Sequence, residues 1–193
     1  MYLALLFGLM KPALTPGPDT RTFASEVGQL TLRFGVAGGI LCAGWMLGLL
    51  LTGNNPFGPK LLLAQLTVPL LAVAAEWRLR QRLAPEKPGV GRQLTLGGLV
   101  VLLAALIAAS SVLGLANGAG EEKLVALNRQ EAKEITLADM QARPKDQRNP
   151  ELERQQLENI SHLSITNLAV NAFTITLLVG LSLAVPGGIF FRE

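Results

Sequence analysis

Cysteine and histidine occur once each in this sequence, at Cys42 and His162. A lone cysteine closes no internal disulfide, and one cysteine with one histidine builds no metal cluster. No glycine-rich phosphate loop follows a strand pattern. The basic residues form no face interleaved with aromatics, which argues against nucleic acid as a partner. The largest deficit is charge. Phe34–Pro59, Leu61–Ala75, Gln93–Gly120 and Leu163–Phe191 contain no Asp, Glu, Lys, Arg or His. Transport pathways and intramembrane reaction sites usually show an ionisable group at mid-membrane, and none is evident here.

What fills those stretches is apolar. Half of the 193 residues are hydrophobic and the mean hydropathy is +0.39. About 20 residues of helix cross a hydrocarbon core ~30 Å thick, so an uncharged apolar run of that order is a membrane span. Three stretches meet the length test outright. The second is shorter, but Trp77 and Leu79 carry its apolar character past Glu76. The expected architecture is all-α: a four-helix transmembrane bundle with spans near 34–51, 60–77, 94–116 and 163–189. It divides into a cytoplasmic N-terminal segment, 1–33, and a membrane domain, 34–193, which includes an outer helical hairpin at 120–162. The turn GNNPFGP ends span one, Lys60 can snorkel at the start of span two, and Pro69 should kink that span.

The first ten residues, MYLALLFGLM, are too short to span and have no basic residue before Lys11. They read as an uncleaved interfacial segment rather than a signal. Pro12, Pro16, Gly17 and Pro18 interrupt helix, after which Asp19 or Thr20 can cap one. Phe23, Val27, Leu30 and Phe34 then share a face, as expected of an amphipathic surface helix that bends into span one.

Five basic residues, Arg78, Arg80, Arg82, Lys87 and Arg92, lie between spans two and three, against Lys60 alone between spans one and two. The positive-inside rule puts the basic loop and both termini in the cytoplasm. The 120–162 segment then lies outside, with nine acidic and seven basic residues. Its pattern predicts a helix through EEKLVALNRQEAKEI, a break at the capping-box match Thr136–Asp139, and a turn at RPKDQRNP. Asn149 and Pro150 then start a helix that can continue without a break into span four.

Two features could carry contacts. Span one has two GxxxG pairs, Gly35/Gly39 and Gly44/Gly48. At about 100° per residue the second pair lies ~140° around the helix from the first. Small residues let helices approach closely in lipid, so two glycine faces imply two close neighbours. They are either other spans, or one span and a partner. Span four carries Ser164, Asn167, Asn171 and Thr174 within one sector of the helix. This polar stripe must face protein or water, because an unpaired amide in hydrocarbon costs several kcal/mol. Interhelical bonds to Gln65, Thr67, Ser110 or Ser111 are its expected use, and a solute path is the alternative. Glu76 reads as a surface ion pair near Arg78, and His162 beside Ser161 as non-catalytic, since helix neighbours point in different directions.

PLLAVAAEWRLRQR, TLGGLVVLLAAL, a TLADM-like helix start and the tail FFRE follow one another along Leu30–Glu193. In this order they resemble a bacterial family of small four-span membrane proteins known only as a domain of unknown function. The Pro186–Gly188 PGG departs from that pattern. The resemblance implies a multi-pass protein of the bacterial inner membrane and assigns no functional residue. The expected role is a non-enzymatic scaffold or accessory subunit, without cofactor. Its expected partners are the lipid bilayer and a second copy or a membrane subunit. A small solute transporter or pore lined by the polar stripe is the alternative.

Overall fold

Proline and glycine decide where the helices start and stop. The computed structural model describes residues 18–84, 88–144 and 149–191. The interfacial reading of the first residues, the face assigned to Phe23 and the FFRE charges lie outside the described residues or side chains. Among the described residues there is helix and no strand.

Helix α1 runs Pro18–Leu51 without interruption. Proline suits a first helical position, where its missing N–H is not needed. Asp19 and Thr20 therefore lie inside the helix rather than capping it, and no break separates the expected surface helix from span one. Gly53, at φ 74°, closes α1. Asn54 N–H donates to Leu49 O at 2.8 Å and Gly53 N–H to Leu50 O at 3.1 Å, the paired bonds of a left-handed C-terminal cap.

The second span is a 3-10 turn at Pro59–Leu61, helix α2 at Leu62–Gln65 and helix α3 at Thr67–Leu83. The break at Leu66 is the expected proline kink, placed one turn before Pro69. Pro69 offers no N–H to the Gln65 carbonyl and its ring crowds that group. Thr67 Oγ1 donates to Ala64 O at 2.7 Å across the break.

Helix α4, Val90–Ala119, is the centre of the bundle and packs against α1, α3 and α7. Its buried side is small and branched: Val100, Val101, Ala104, Ala108 and Val112 are fully covered. Gly120, at φ 94°, turns the chain from α4 into α5. Four helical stretches are long and apolar enough to cross a membrane: Ala24–Leu51, Pro59–Leu83, Val90–Ala119 and Ile165–Phe190. This is a multi-pass membrane protein with an all-helical bundle.

The hairpin differs from its expected form. Helix α5 is continuous over Glu121–Ala142, so Thr136 starts no new helix. A capping box acts only where the chain breaks, and EAKEITLADMQA holds no proline or glycine to break it. Helix α6 spans Pro150–Ser161, with the Asn149 side chain accepting from Glu151 N–H and Leu152 N–H as expected of that cap. The arms are unequal by about 15 Å. The first turns of α5 absorb the difference by lying against the bundle, where Leu124, Val125 and Asn128 are buried. A break also separates α6 from α7, Ile165–Phe190. Ser164 caps α7 by accepting from Asn167 N–H, and Arg129 takes the freed Leu163 carbonyl through Nε at 3.2 Å and Nη2 at 2.5 Å.

Candidate functional site

The two glycine pairs of α1 have different surroundings. A Cβ at Gly35 would meet Leu103 Cβ at 3.0 Å, and one at Gly39 would meet Ile107 Cβ at 2.5 Å. That pair is used inside the molecule, against α4. A Cβ at Gly44 or at Gly48 would meet nothing within 4 Å. The second pair floors an open groove of about 590 Å³ walled by Ile40, Leu41, Trp45 and Leu49. Trp45 Nε1 donates to Lys60 O at 2.9 Å, which fixes that wall.

The polar stripe is not buried between spans. Asn167, Asn171 and Thr174 are exposed on α7. Its expected partners bond elsewhere. Gln65 Nε2 donates to Thr176 Oγ1 at 3.0 Å, and Ser110 and Ser111 return to their own helix at Leu106 O and Ile107 O. Ser164 Oγ donates to Asn167 Oδ1 at 2.9 Å within the helix cap. Among the described residues the buried bonds of Gln65 to α7 thus reach Thr176, two residues from the stripe, and the Ala172 carbonyl.

Asn167 and Asn171 instead open on a cleft of about 410 Å³ at the hairpin end of the bundle. Three elements build it: the loop after α1, the middle of α5 and the first turns of α7. The loop supplies Asn55, whose Nδ2 donates to Glu131 Oε2 at 2.6 Å. Gly58 has no side chain where that carboxylate sits, and a Cβ there would lie 3.0 Å from Glu131 Cδ. On α5, Asn128 and Glu131 are three residues apart and so share a face. Asn128 is 8 % exposed, lines the cleft and makes no hydrogen bond among the described residues. Leu62, Phe57, Ile135 and Leu168 give the cleft an apolar wall. Asn55, Asn128 and Glu131 carry no signal in the sequence that would single them out, because only the lean of α5 over the loop brings them to α7.

Glu76 departs furthest from its sequence reading. It makes no ion pair with Arg78, and its side chain is fully buried in the bundle. Both carboxyl oxygens lack a hydrogen-bond partner. They occupy a slot left by two glycines: a Cβ at Gly97 of α4 would collide with Oε1, and one at Gly187 of α7 would lie 2.6 Å from Oε2. Gln93, one turn before Gly97, is likewise buried with its Oε1 unpartnered. The Arg82–Glu26 ion pair joins α3 to α1 at the same basic end. At the opposite end Ser161 Oγ donates to Glu158 O at 2.6 Å, not to His162.

Residues 33–193 of the sequence match a family model described as "Protein of unknown function (DUF4199)". The chain belongs to the DUF4199 family. The match covers nearly the whole stretch over which the sequence resembled a family of small four-span proteins. No curated protein matches, and no solved structure does. DUF4199 membership assigns no activity, and the architecture rests on the four apolar helices of the chain.

Proposed function

We propose that this protein is a non-enzymatic membrane scaffold or accessory subunit that acts through helix–helix contact, with the Gly44/Gly48 groove as the contact surface. One observation carries the reading: of two equivalent motifs on one helix, Gly35/Gly39 is filled by α4 and Gly44/Gly48 is empty. A small-residue face lets a second backbone approach, and the van der Waals packing this allows is one source of helix affinity in lipid. The occupant that matches such a groove is a second copy of α1. Two copies related by a two-fold axis present the same face to each other, and the contact closes after one pairing.

Single cysteines test it in a Cys42→Ala background. Gly44→Cys and Gly48→Cys should give a disulfide-linked dimer in native membranes, whereas Gly39→Cys, buried against Ile107, should not. Dimer absent at both open positions, or equal at all three, would overturn the contact.

The basic end of the bundle, with Arg78, Arg80 and Arg82, belongs in the cytoplasm of a bacterial inner membrane by the positive-inside rule. A reporter fused after Glu193 should then be active in the cytoplasm, and one inserted near Lys145 active outside. The reversed pattern would refute this orientation. The alternative, a solute transporter or pore lined by the stripe, draws support from Asn167 and Asn171 opening on the hairpin-end cleft. The cleft lining stops at Asn171 and does not include Thr174, the next member of the stripe.

A further inference from the structure

We propose that the hairpin-end cleft binds a primary ammonium group carried on an amphipathic molecule, with Glu131 as its counter-charge. The inference is independent of the α1 contact.

The polar groups of the cleft are arranged as acceptors for a ligand. Glu131 is held from one side only: Asn55 Nδ2 occupies Oε2, and Oε1 has no partner among the described residues. The carboxamides of Asn128 and Asn171 also make no hydrogen bond among the described residues. Asn128 is more than nine-tenths buried and lines the cleft, so its unpaired carboxamide is available to a ligand there. A primary ammonium carries three N–H donors and a positive charge. It can give one bond to Glu131 Oε1 and others to the carboxamide oxygens, and the charged bond is the strongest of these.

The charge balance selects the same ligand. Among the described residues, Glu131 is the one ionisable side chain lining the cleft. Lys60 bonds Asn54 Oδ1 and Arg129 bonds Leu163 O, and no ion pair to Glu131 is present among the described residues. Neither neutralises Glu131, and neither offers a cradle for an anion inside the cleft.

Position and wall chemistry supply the amphipathic requirement. Asn171 lies about 9 Å along α7 from Ile165. The cleft therefore runs from the hairpin down the first turns of a membrane span. Leu62 and Leu168 wall it at that level, where the backbone and upper chains of a lipid would lie. An ethanolamine lipid has this chemistry. A soluble amine shares the ammonium but not the apolar tail.

The full chain, reconstituted in vesicles of equal phosphatidylethanolamine and phosphatidylcholine, would be examined for retained lipid by native mass spectrometry. Choline carries charge without N–H donors, so the comparison isolates the hydrogen bonds. Ethanolamine lipid should be retained about tenfold over choline lipid, as one charge-assisted bond allows. Glu131→Gln should bring the ratio to about one with the helical content unchanged. Asn128→Leu should lower retention without reversing the preference. Calorimetry with free ethanolamine distinguishes the source. Glu131-dependent binding of free ethanolamine without lipid selectivity would keep the site and assign it a soluble amine. No selectivity together with no ethanolamine binding would overturn the proposal, as would a Glu131→Gln protein that selects ethanolamine lipid as well as the native chain does.

Discussion

Replacing Gly180 with leucine should break the packing of α7 on α4. Gly180 is buried on the face of α7 that meets Val101. A Cβ at position 180 would come to 2.8 Å from Val101 Cγ2 and 3.1 Å from its Cβ. Valine has one strongly preferred rotamer in a helix, so it cannot swing aside. Overpacking by even a methylene costs about 1–3 kcal/mol, and leucine adds four carbons at the closest approach of two backbones. A loss of ~3 kcal/mol or more is a large share of the ~5–15 kcal/mol that holds a typical protein folded. The protein should then fail to elute as a single species in mild detergent, and its unfolding midpoint in mixed micelles should fall sharply. Gly114→Leu provides the comparison, because nothing lies within 4 Å of a Cβ there. Val101→Ala in the same chain should recover part of the loss, since residues in contact are not additive. If Gly180→Leu behaves as Gly114→Leu does, α4 and α7 do not pack through this glycine.

Much of this architecture was legible because lipid imposes simple rules. Uncharged length located the four spans, proline 69 foretold the break at Leu66, and Asn149–Pro150 marked a cap that the structure contains. Glycine spacing showed that α1 has two faces, but not which one a neighbouring span would fill. That depends on Leu103 and Ile107 arriving from α4, a tertiary fact. Asn167, Asn171 and Thr174 lie on α7, and the stripe does not bond the side chains of the other spans expected of it. Gln65 reaches Thr176 instead, while the cleft that receives Asn167 and Asn171 is made by the loop and by α5. The TLAD pattern failed for a local reason: helix-favouring neighbours on both sides leave the cap no break to act on.

Glu76 was misread through its neighbour. Residues two apart on a helix do not face one another, so Arg78 can be exposed while Glu76 points inward. The pattern that fixes its direction was present: Val68, Ala72, Ala75 and Leu79 recur with helical spacing and are all buried. Glu76 sits on that seam. Arg78, two residues on, made a surface ion pair the simpler reading of a carboxylate at that position.

The burial of Glu76 leads to the second large effect, which has the opposite sign to most core substitutions. Changing a buried residue usually destabilises by about 1 kcal/mol. Glu76→Met should instead raise the unfolding free energy, by about 1–3 kcal/mol. Both carboxyl oxygens lack a donor, and an unsatisfied buried acceptor costs this much or more. Methionine has similar length and adaptable shape, so it can follow the same slot between Gly97 and Gly187 with no polar atom to satisfy. Replacing buried charged groups with apolar residues of matching volume is often stabilising for this reason. Glu76→Gln keeps an orphaned polar head and should show little of the gain. Glu76→Ala removes the head but leaves a cavity, and should fall below methionine. Urea or dodecyl sulfate titration in mixed micelles would rank the four proteins. A methionine variant no more stable than alanine would mean that the carboxyl is satisfied by something in the folded protein. If methionine is the most stable and the Gly44 and Gly48 cysteines still cross-link, Glu76 holds together neither the bundle nor the dimer.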